Sequence, residues 1–333
     1  MTRRSGTNWS WIRWLIESNL CEHPEFETCF RLEHKIRSLG QGLFHRNYLF
    51  EVAGRVLVLR LSKIERNVQN QKEAVKRLRA EAKTLDALGA QDLPFDVPKL
   101  VCLVNEDGPD PVGLIETAVD GYPLTDFCRR IEPEFPLKVV AEIAATVHGL
   151  PKSRFMHLTM RSGARTHVEE RVRELPESLF ERFTEAARAR DWIVGHLPEE
   201  RAATVLHGDL LPQNLLFDHR NDDRVGVLDW ECAKIGDPAY DLAIVTCGHR
   251  KPLGVPNGMR RIVEYYNQKA ACKVSPGDVL IHEMLFHLNW TADAVKRRER
   301  NEFGGHGPEH FAAALGSLIN RAVGVKRNDD QDG

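Results

Sequence analysis

Three side chains in the second half of the chain have the types and spacing that phosphoryl transfer requires. In Val205-Leu206-His207-Gly208-Asp209-Leu210-Leu211-Pro212-Gln213-Asn214 a short apolar strand delivers a His-x-Asp turn, and an asparagine follows five positions after the aspartate. A carboxylate at such a turn can orient an attacking hydroxyl and accept its proton, and a neutral amide oxygen beside it can hold a magnesium ion. Fifteen residues beyond Asn214, in Val227-Leu228-Asp229-Trp230-Glu231, a second apolar strand ends in a second carboxylate. That is where a divalent cation bridging phosphates needs an oxygen ligand. Carboxylate, amide oxygen and carboxylate form the hard-oxygen set that magnesium prefers. One such motif is weak; two in this order, each after an apolar strand, make coincidence a poor explanation.

The elements that must carry these residues can be read from periodicity. Upstream, Lys35–Leu39, Asn47–Val52 and Arg55–Leu61 are strand-like runs, interrupted by Gly40-Gln41-Gly42 and by a turn at Ala53-Gly54. Glycine-punctuated runs of this kind predict an antiparallel meander. Val75, Leu78, Ala82 and Leu85 then fall at helical spacing within a charged stretch from about Asn70 to Leu88, which predicts one amphipathic helix. The runs Val97–Val104 and Val112–Val119 predict a hairpin completing a five-stranded sheet. From Pro123 onward helices dominate: one apolar face runs through Val140, Ile143, Val147 and Leu150, and further helices are expected over Val168–Leu175, Glu177–Val194 and Asp278–Arg297. Short strands are expected at Ala203–Leu206, Leu215–Phe217 and Val225–Leu228.

Bulk properties bound the function. The chain of 333 residues is 42% hydrophobic and 28% charged, ample for a core and for two domains. Lys+Arg of 46 against Asp+Glu of 48 gives no electrostatic footprint for nucleic acid and no polybasic patch for a membrane surface. Seven scattered cysteines without a CxxC pair suit free thiols in a reducing compartment. No apolar run approaches the roughly 20 residues that span a bilayer. Arg13 and Glu17 interrupt the N-terminal apolar stretch, which fits an amphipathic surface helix better than a signal peptide. The expected location is cytoplasmic.

The paired motifs resemble the signature of the aminoglycoside phosphotransferase and choline kinase superfamily, which reads HGDLxxxN followed by a DWE segment. The likeness continues through Ile235-Gly236-Asp237-Pro238-Ala239-Tyr240-Asp241-Leu242-Ala243, similar to that family's GDPxxDLA stretch, and is strongest from Val205 to Val245. It implies an α+β, protein-kinase-like two-lobed fold, with an N-terminal antiparallel five-stranded sheet and one helix, and a larger, mostly helical C-terminal lobe. The expected limits are 1–117 for a nucleotide-binding lobe with a helical extension at 8–30, 118–325 for the catalytic and substrate lobe, and 326–333 for a disordered tail. The resemblance makes Asp209 the catalytic base, and Asn214 and Asp229 the metal ligands. It makes His207 a support for the loop, Asp241 a buried acceptor beneath it, and Asp237 a residue of either loop or substrate. The implied cofactors are ATP and Mg2+, and the implied acceptor is a hydroxyl of a small molecule that is aminoglycoside-, choline- or amino-sugar-like.

In the first third, Gly40 and Gly42 resemble the family's phosphate-covering turn, where backbone amides approach phosphate oxygens. Arg60, in Val58-Leu59-Arg60-Leu61, occupies the third-strand position where protein kinases place a lysine, and its fork of donors suits phosphates and carboxylates. Its implied partner is Glu81, in a stretch similar to the family's REAxLLxxL helix. Gly113–Gly121 resembles the hinge, with backbone groups from Glu116 to Ala118 against the adenine edge.

Other candidates are set aside. His282 and His287 lie five apart on a helix, pointing some 140° from each other, so they cannot form a zinc-protease pair. His306 and His310 have the right spacing, but Gly304, Gly305, Gly307 and Pro308 predict a loop. Trp290 and Asp293 are read as a core tryptophan and a solvated acid, and His148 as a structural histidine. Glu231, Asp237, Glu283 and Asp293 are acids that would favour a cationic acceptor if gathered. A non-catalytic nucleotide-binding protein on the same fold is the alternative, although pseudokinases usually lack the base or a metal ligand and this chain has all three. Protein kinase activity is disfavoured because Trp230-Glu231 replaces Phe-Gly after Asp229.

Overall fold

The computed structural model describes residues 9–21, 23, 25–26, 36–41, 45–63, 68–105, 113–127, 134–218, 224–247, 255, 257–302 and 305–329. Gly42 and the residues after Asp329 lie outside this set. The chain divides into two compact units, Met1–Tyr122 with Leu216–Cys232, and Pro123–Leu215 with Ala233–Gly333. This differs from the expected limits of 1–117 and 118–325, because residues 118–122 and the segment carrying Asp229 cluster with the first unit.

In the first unit, helix α1 (Trp9–Leu20) precedes strands β1 (Arg37–Gln41), β2 (His45–Val52) and β3 (Arg55–Ser62). Helix α2 (Val68–Gly89) and strands β4 (Leu100–Val104) and β5 (Gly113–Thr117) follow. The five strands form one sheet in the order β1-β2-β3-β5-β4, and every neighbouring pair is antiparallel. This is the expected meander with its one helix. Side chains alternate across β3, as a period of two demands. Leu57, Leu59 and Leu61 join Ile12, Leu15, Ile16 and Leu20 of α1, and Tyr48, Phe50 and Val52 of β2, in one core. The other face receives α2, where Leu78 meets Leu114 and the half-buried Val75, Leu100 and Leu103. That alternation turns Arg60 toward α2. Strands Leu215–Asp218 and Arg224–Val227 pair in a small sheet with Tyr122–Pro123. Asp96 clamps the second of these: its amide donates to the Val225 carbonyl (2.8 Å), and its carbonyl accepts from Val227 N–H (2.8 Å). The clamp lies two residues before Asp229.

The second unit is mainly helical. Its core gathers Val168, Leu179, Ala189, Ile193, Leu280, Met284, Leu285, Leu288 and Leu315. The long helix Pro276–Glu299 begins with a capping box: the Ser275 side chain accepts from Asp278 N–H, and the Asp278 carboxylate accepts from Ser275 N–H. The helical stretch expected over Glu177–Val194 is two helices, Glu177–Arg182 and Thr184–Gly195, broken by Phe183 in extended conformation. A two-stranded ribbon pairs Thr204–Leu206 with Lys234–Gly236, setting Lys234 opposite Leu206. The last helix, Pro308–Asp329, corrects two expectations. It places His310 in a helix rather than a loop, since proline is tolerated in a first turn. It also carries residues 326–329, which had been expected to be a disordered tail.

Candidate active site

The loop after Thr204–Leu206 is fixed from below by one carboxylate. Asp241, fully buried on the helix Ala239–Thr246, accepts the His207 amide on Oδ2 (2.8 Å) and the Gly208 amide on Oδ1 (2.8 Å). Gly208 sits at φ +85, a conformation an L side chain would resist. His148 Nε2 lies 3.2 Å from Asp241 Oδ2, and His148 Nδ1 lies 2.9 Å from the Tyr266 hydroxyl. A carboxylate only accepts, so the ring proton belongs on Nε2, and Nδ1 accepts from Tyr266. Burial alone would raise the Asp241 carboxyl, but the bonds from His148 and the Gly208 amide hold it below the ordinary range. Burial pushes the Tyr266 phenol upward, which keeps it a donor.

Above this support, Asp209 and Asn214 face each other. The Asp209 amide donates to His207 Nδ1 (3.2 Å). A turn of 3-10 helix, Pro212–Asn214, swings Asn214 back over the loop. Its Nδ2 then donates to the Asp209 carbonyl (2.9 Å) and to Asp209 Oδ2 (3.1 Å). Both residues are half-buried, so carboxylate and amide remain accessible while the histidine beneath them does not.

Asp229 belongs to the first unit. It adopts φ +66, strained for a non-glycine residue by about 1–2 kcal/mol. The Trp230 indole N–H closes the turn on the Val227 carbonyl (3.1 Å). Arg60 links two acids: Nη1 donates to Glu81 Oε1 (2.6 Å) and Nη2 to Asp229 Oδ1 (2.7 Å), with Glu231 Oε2 at 3.9 Å. Glu231 in turn pairs with His45 Nδ1 (3.0 Å). The β3–β5 register sets Glu116 opposite Val58, two positions from Leu114 opposite Arg60, so the buried Glu116 faces Arg60 as well. Burial lowers the tendency of Arg60 to hold its proton, but Glu81, Glu116 and Asp229 outweigh it and raise its pKa. The acids show the converse imbalance. Burial pushes Glu81 up to about 8 against the pull of Arg60, and Glu116 up to about 7. Glu81 Oε2 and Glu116 Oε2 are buried without a hydrogen-bond partner.

The structure therefore brings Arg60, Glu81, Glu116 and Asp229 together in one unit, and Asp209 and Asn214 in the other. Gly40 lies exposed in β1 at φ +112. The Ala118 and Thr117 amides are engaged within the unit, donating to the carbonyls of Val56 (3.0 Å) and Lys99 (2.9 Å). Of the four acids considered for a cationic acceptor, two are already engaged within the protein. Asp237 is enclosed by Arg201 Nη2 (2.8 Å) and His282 Nε2 (2.9 Å), and Glu283 is paired with Arg321. Asp293 is exposed, and Glu231 belongs to the first unit. His282 and His287 diverge as their spacing requires: His282 goes to Asp237, and His287 Nδ1 to the Glu283 carbonyl (3.0 Å). Tyr266 and Arg201 had no motif to announce them, and Glu116 was read only for its backbone.

A five-stranded antiparallel sheet with one helix in one unit, and a helical unit carrying a His-Gly-Asp loop, define the class of kinase-like phosphotransferase folds. Residues 35–267 match the profile of the Phosphotransferase enzyme family, and the chain belongs to that family. It is 28% identical over 200 residues to viomycin phosphotransferase of Streptomyces vinaceus, covering 54% of this chain and 66% of that protein. It is 35% identical over 69 residues to acyl-CoA dehydrogenase family member 10 of Mus musculus, covering 21% of this chain and 6% of that protein. The chain thus spans less than two thirds of these curated relatives. Among solved structures, the GDP complex of wild-type aminoglycoside 2'-phosphotransferase-IIIa aligns at TM-score 0.63 and 16% identity, covering 95% of this chain and 98% of that one. A thermostable mutant of the aminoglycoside phosphotransferase APH(4)-Ia, in ternary complex with AMP-PNP and hygromycin B, aligns at TM-score 0.63 and 15% identity, covering 92% and 97%. At such identities the likeness establishes the fold. Among the described residues no helix is long and apolar enough to cross a membrane, and none of the five described cysteines forms a disulfide.

Proposed function

We propose that this chain transfers the γ-phosphoryl group of ATP to a hydroxyl of a small molecule, with Mg2+ as the accompanying cation. The observation that carries the reading is the loop itself. Asp241 pins two consecutive amides, and Asp209 and Asn214 are thereby held 3.1 Å apart and accessible. Asp209 orients the acceptor hydroxyl and takes up its proton late, since an alcohol does not ionise freely in water and positioning does most of the work. Asn214 keeps the Asp209 carboxylate in place through its Nδ2, which directs its oxygen end away from Asp209.

A divalent cation fits the residues present. Around Arg60 four acids outnumber one guanidinium, and Oε2 of Glu81 and Oε2 of Glu116 are buried without a hydrogen-bond partner. Asp229 and Asn214 would hold the ion, and among the described residues no cluster of three or more His, Cys, Asp or Glu could hold a metal alone. Magnesium takes one or two protein oxygens and completes its shell with phosphate and water. When bound it supplies charge neutralisation at the transferring phosphate. Arg60, placed by Glu81, would meet phosphate oxygens, and the turn at Gly40 and Gly42 would cover them. The stretch from Glu116 to Ala118 would border the base. For the acceptor, the aminoglycoside-, choline- and amino-sugar-like classes are the first to screen, with the site on the helical unit.

Asp209→Asn is expected to lower turnover by roughly 10²–10⁴ while nucleotide still binds. Asp229→Ala is expected to abolish the magnesium-dependent part of nucleotide binding, read as a thermal-shift titration with ATP. Undiminished turnover in Asp209→Asn, measured as ATP consumption with an active acceptor, removes the assignment.

A further inference from the structure

Next to the loop bearing Asp209 the helical unit holds a buried arginine with no carboxylate in contact. Arg171, on the helix Ala164–Arg173, lays its guanidinium carbon 5.2 Å from the ring centres of both Tyr240 and Phe286. Its Nη1 is enclosed and has no hydrogen-bond partner. Lys234 Nζ donates to the Tyr240 hydroxyl (2.9 Å) and lies 4.1 Å from the ring centre, so two cations flank one phenol. Other arginines of the unit have carboxylates in contact: Arg161 with Glu170 and Glu174, Arg201 with Asp237 and Asp278, Arg190 with Glu177 and Asp191. Each of those three is raised in pKa, whereas burial holds Arg171 below the ordinary arginine value despite Tyr240 and Glu174. A guanidinium taken out of water without a carboxylate in contact is costly unless something else supplies the negative charge.

The surroundings reinforce the sign. His167 and His282 stand 5.3 Å apart beside Tyr240, and burial drives His167 down to about 2 and His282 below its usual value, so neither adds a carboxylate's compensation nor competes as a charge. Asp237 is the acid at hand, and it is already committed to Arg201 and His282. Position ties this cluster to the chemistry. Lys234 is the cross-strand partner of Leu206, which runs directly into His207-Gly208-Asp209. Cross-strand Cα atoms are about 5 Å apart, so Lys234 stands within a few residues' reach of the proposed base. An apolar rim adjoins it: Met160, bridged to Ile235, is 57% exposed, and Trp290 stacks on Phe286 at 5.9 Å.

We propose that Arg171 and Lys234, on either side of Tyr240, form the part of the acceptor site that takes an oxyanion, so that the hydroxyl acceptor carries a carboxylate or phosphate group. This rests on reading the chain as a small-molecule phosphotransferase and narrows its acceptor, whether or not the acceptor also carries an amine. A bidentate arginine on an aromatic bed matches a planar carboxylate or a phosphate, and the lysine adds a point charge.

The test uses the whole chain with ATP and magnesium, and acceptor pairs in which a neutral group replaces the anion: hydroxybutyrate against hydroxybutyramide, and glycerol phosphate against glycerol, with choline and kanamycin as cationic arms. The anionic member of one pair is expected to be phosphorylated with kcat/KM at least ~10-fold above its neutral twin. Arg171→Met and Lys234→Met are each expected to raise its KM by roughly 10–100-fold, leaving the KM for ATP unchanged. The responding pair separates carboxylate from phosphate. Equal kcat/KM within both pairs, or efficient choline or kanamycin turnover indifferent to both substitutions, overturns the proposal. Binding is read separately as the rise in unfolding midpoint of the nucleotide-free chain with roughly 10 mM hydroxybutyrate or inorganic phosphate. A rise that Asp229→Ala keeps and Lys234→Met loses supports the site, even should Arg171→Met fail to fold. No rise in the wild-type chain overturns it. Oxyanion binding without phosphoryl transfer defeats the phosphotransferase reading alone, whereas ATP binding and acceptor-free hydrolysis without an oxyanion effect defeat this inference alone.

Discussion

His148 stands between Tyr266 and Asp241, 2.9 Å from the hydroxyl of one and 3.2 Å from the carboxylate of the other. Three elements far apart in the chain thereby converge on the two amides that shape the loop bearing Asp209. Tyr266→Phe removes one buried donor and leaves His148 Nδ1 unsatisfied. We expect a stability loss of about 1–3 kcal/mol by urea denaturation. A kcat reduced several-fold with an unchanged KM for ATP would show that the loss reaches the loop. Asp241→Asn, which strips the charge from both amide contacts, is expected to be the more severe of the two.

Arg60 is buried among carboxylates, so its removal leaves them uncompensated. Arg60→Met is expected to cost about 3–5 kcal/mol of stability. In the double variant Arg60→Met with Glu81→Met the loss should shrink, because the stranded acid goes with its partner. Additive losses in a double-mutant cycle would show that the two do not act as a pair.

Buried acids of opposite shift are expected to give the chain a stability maximum in mildly acidic solution. Asp237 and Asp241 are depressed in the fold despite burial, because hydrogen bonds and charges favour the ionised form. Their contribution is present above the ordinary carboxylate pKa near 4 and fades as pH falls through the lower folded values. Glu283 is the reverse: burial pushes it up to about 7, against Arg321 and Thr246. The folded state then holds a proton that the unfolded chain has released, so stability falls as pH rises from about 4.5 to 7. Glu283→Gln is expected to flatten that fall, by up to ~3 kcal/mol. Unfolding midpoints of the two proteins from pH 4 to pH 8 check it; parallel curves would place the fall elsewhere.

Several features were legible before any coordinates. The period of two in Arg55–Leu61 and the helical spacing of Val75, Leu78, Ala82 and Leu85 anticipated β3 and α2 closely. The strands before Asp209 and Asp229 were expected within a residue or two of where they lie. Local alternation reports which face of a strand is buried, and for β3 that sufficed to turn Arg60 away from the leucines. Less legible was the break at Phe183, where a helical pattern continues through a residue that the structure extends.

The sequence by itself determined the order of sheet and helices, the strand that leads into the His207–Asn214 loop, and the family, because these depend on residues close together in the chain and on backbone preferences they share. The tertiary structure alone decided that Tyr266 reaches His148 across 118 positions, that Asp229 meets Arg60 across 169, and that Arg171 is left with aromatic rings instead of a carboxylate. Which charge is neutralised and which is left over depends on the packing of whole elements, and the burial that follows multiplies the consequence, since an ion pair weak in water becomes decisive once solvent is excluded.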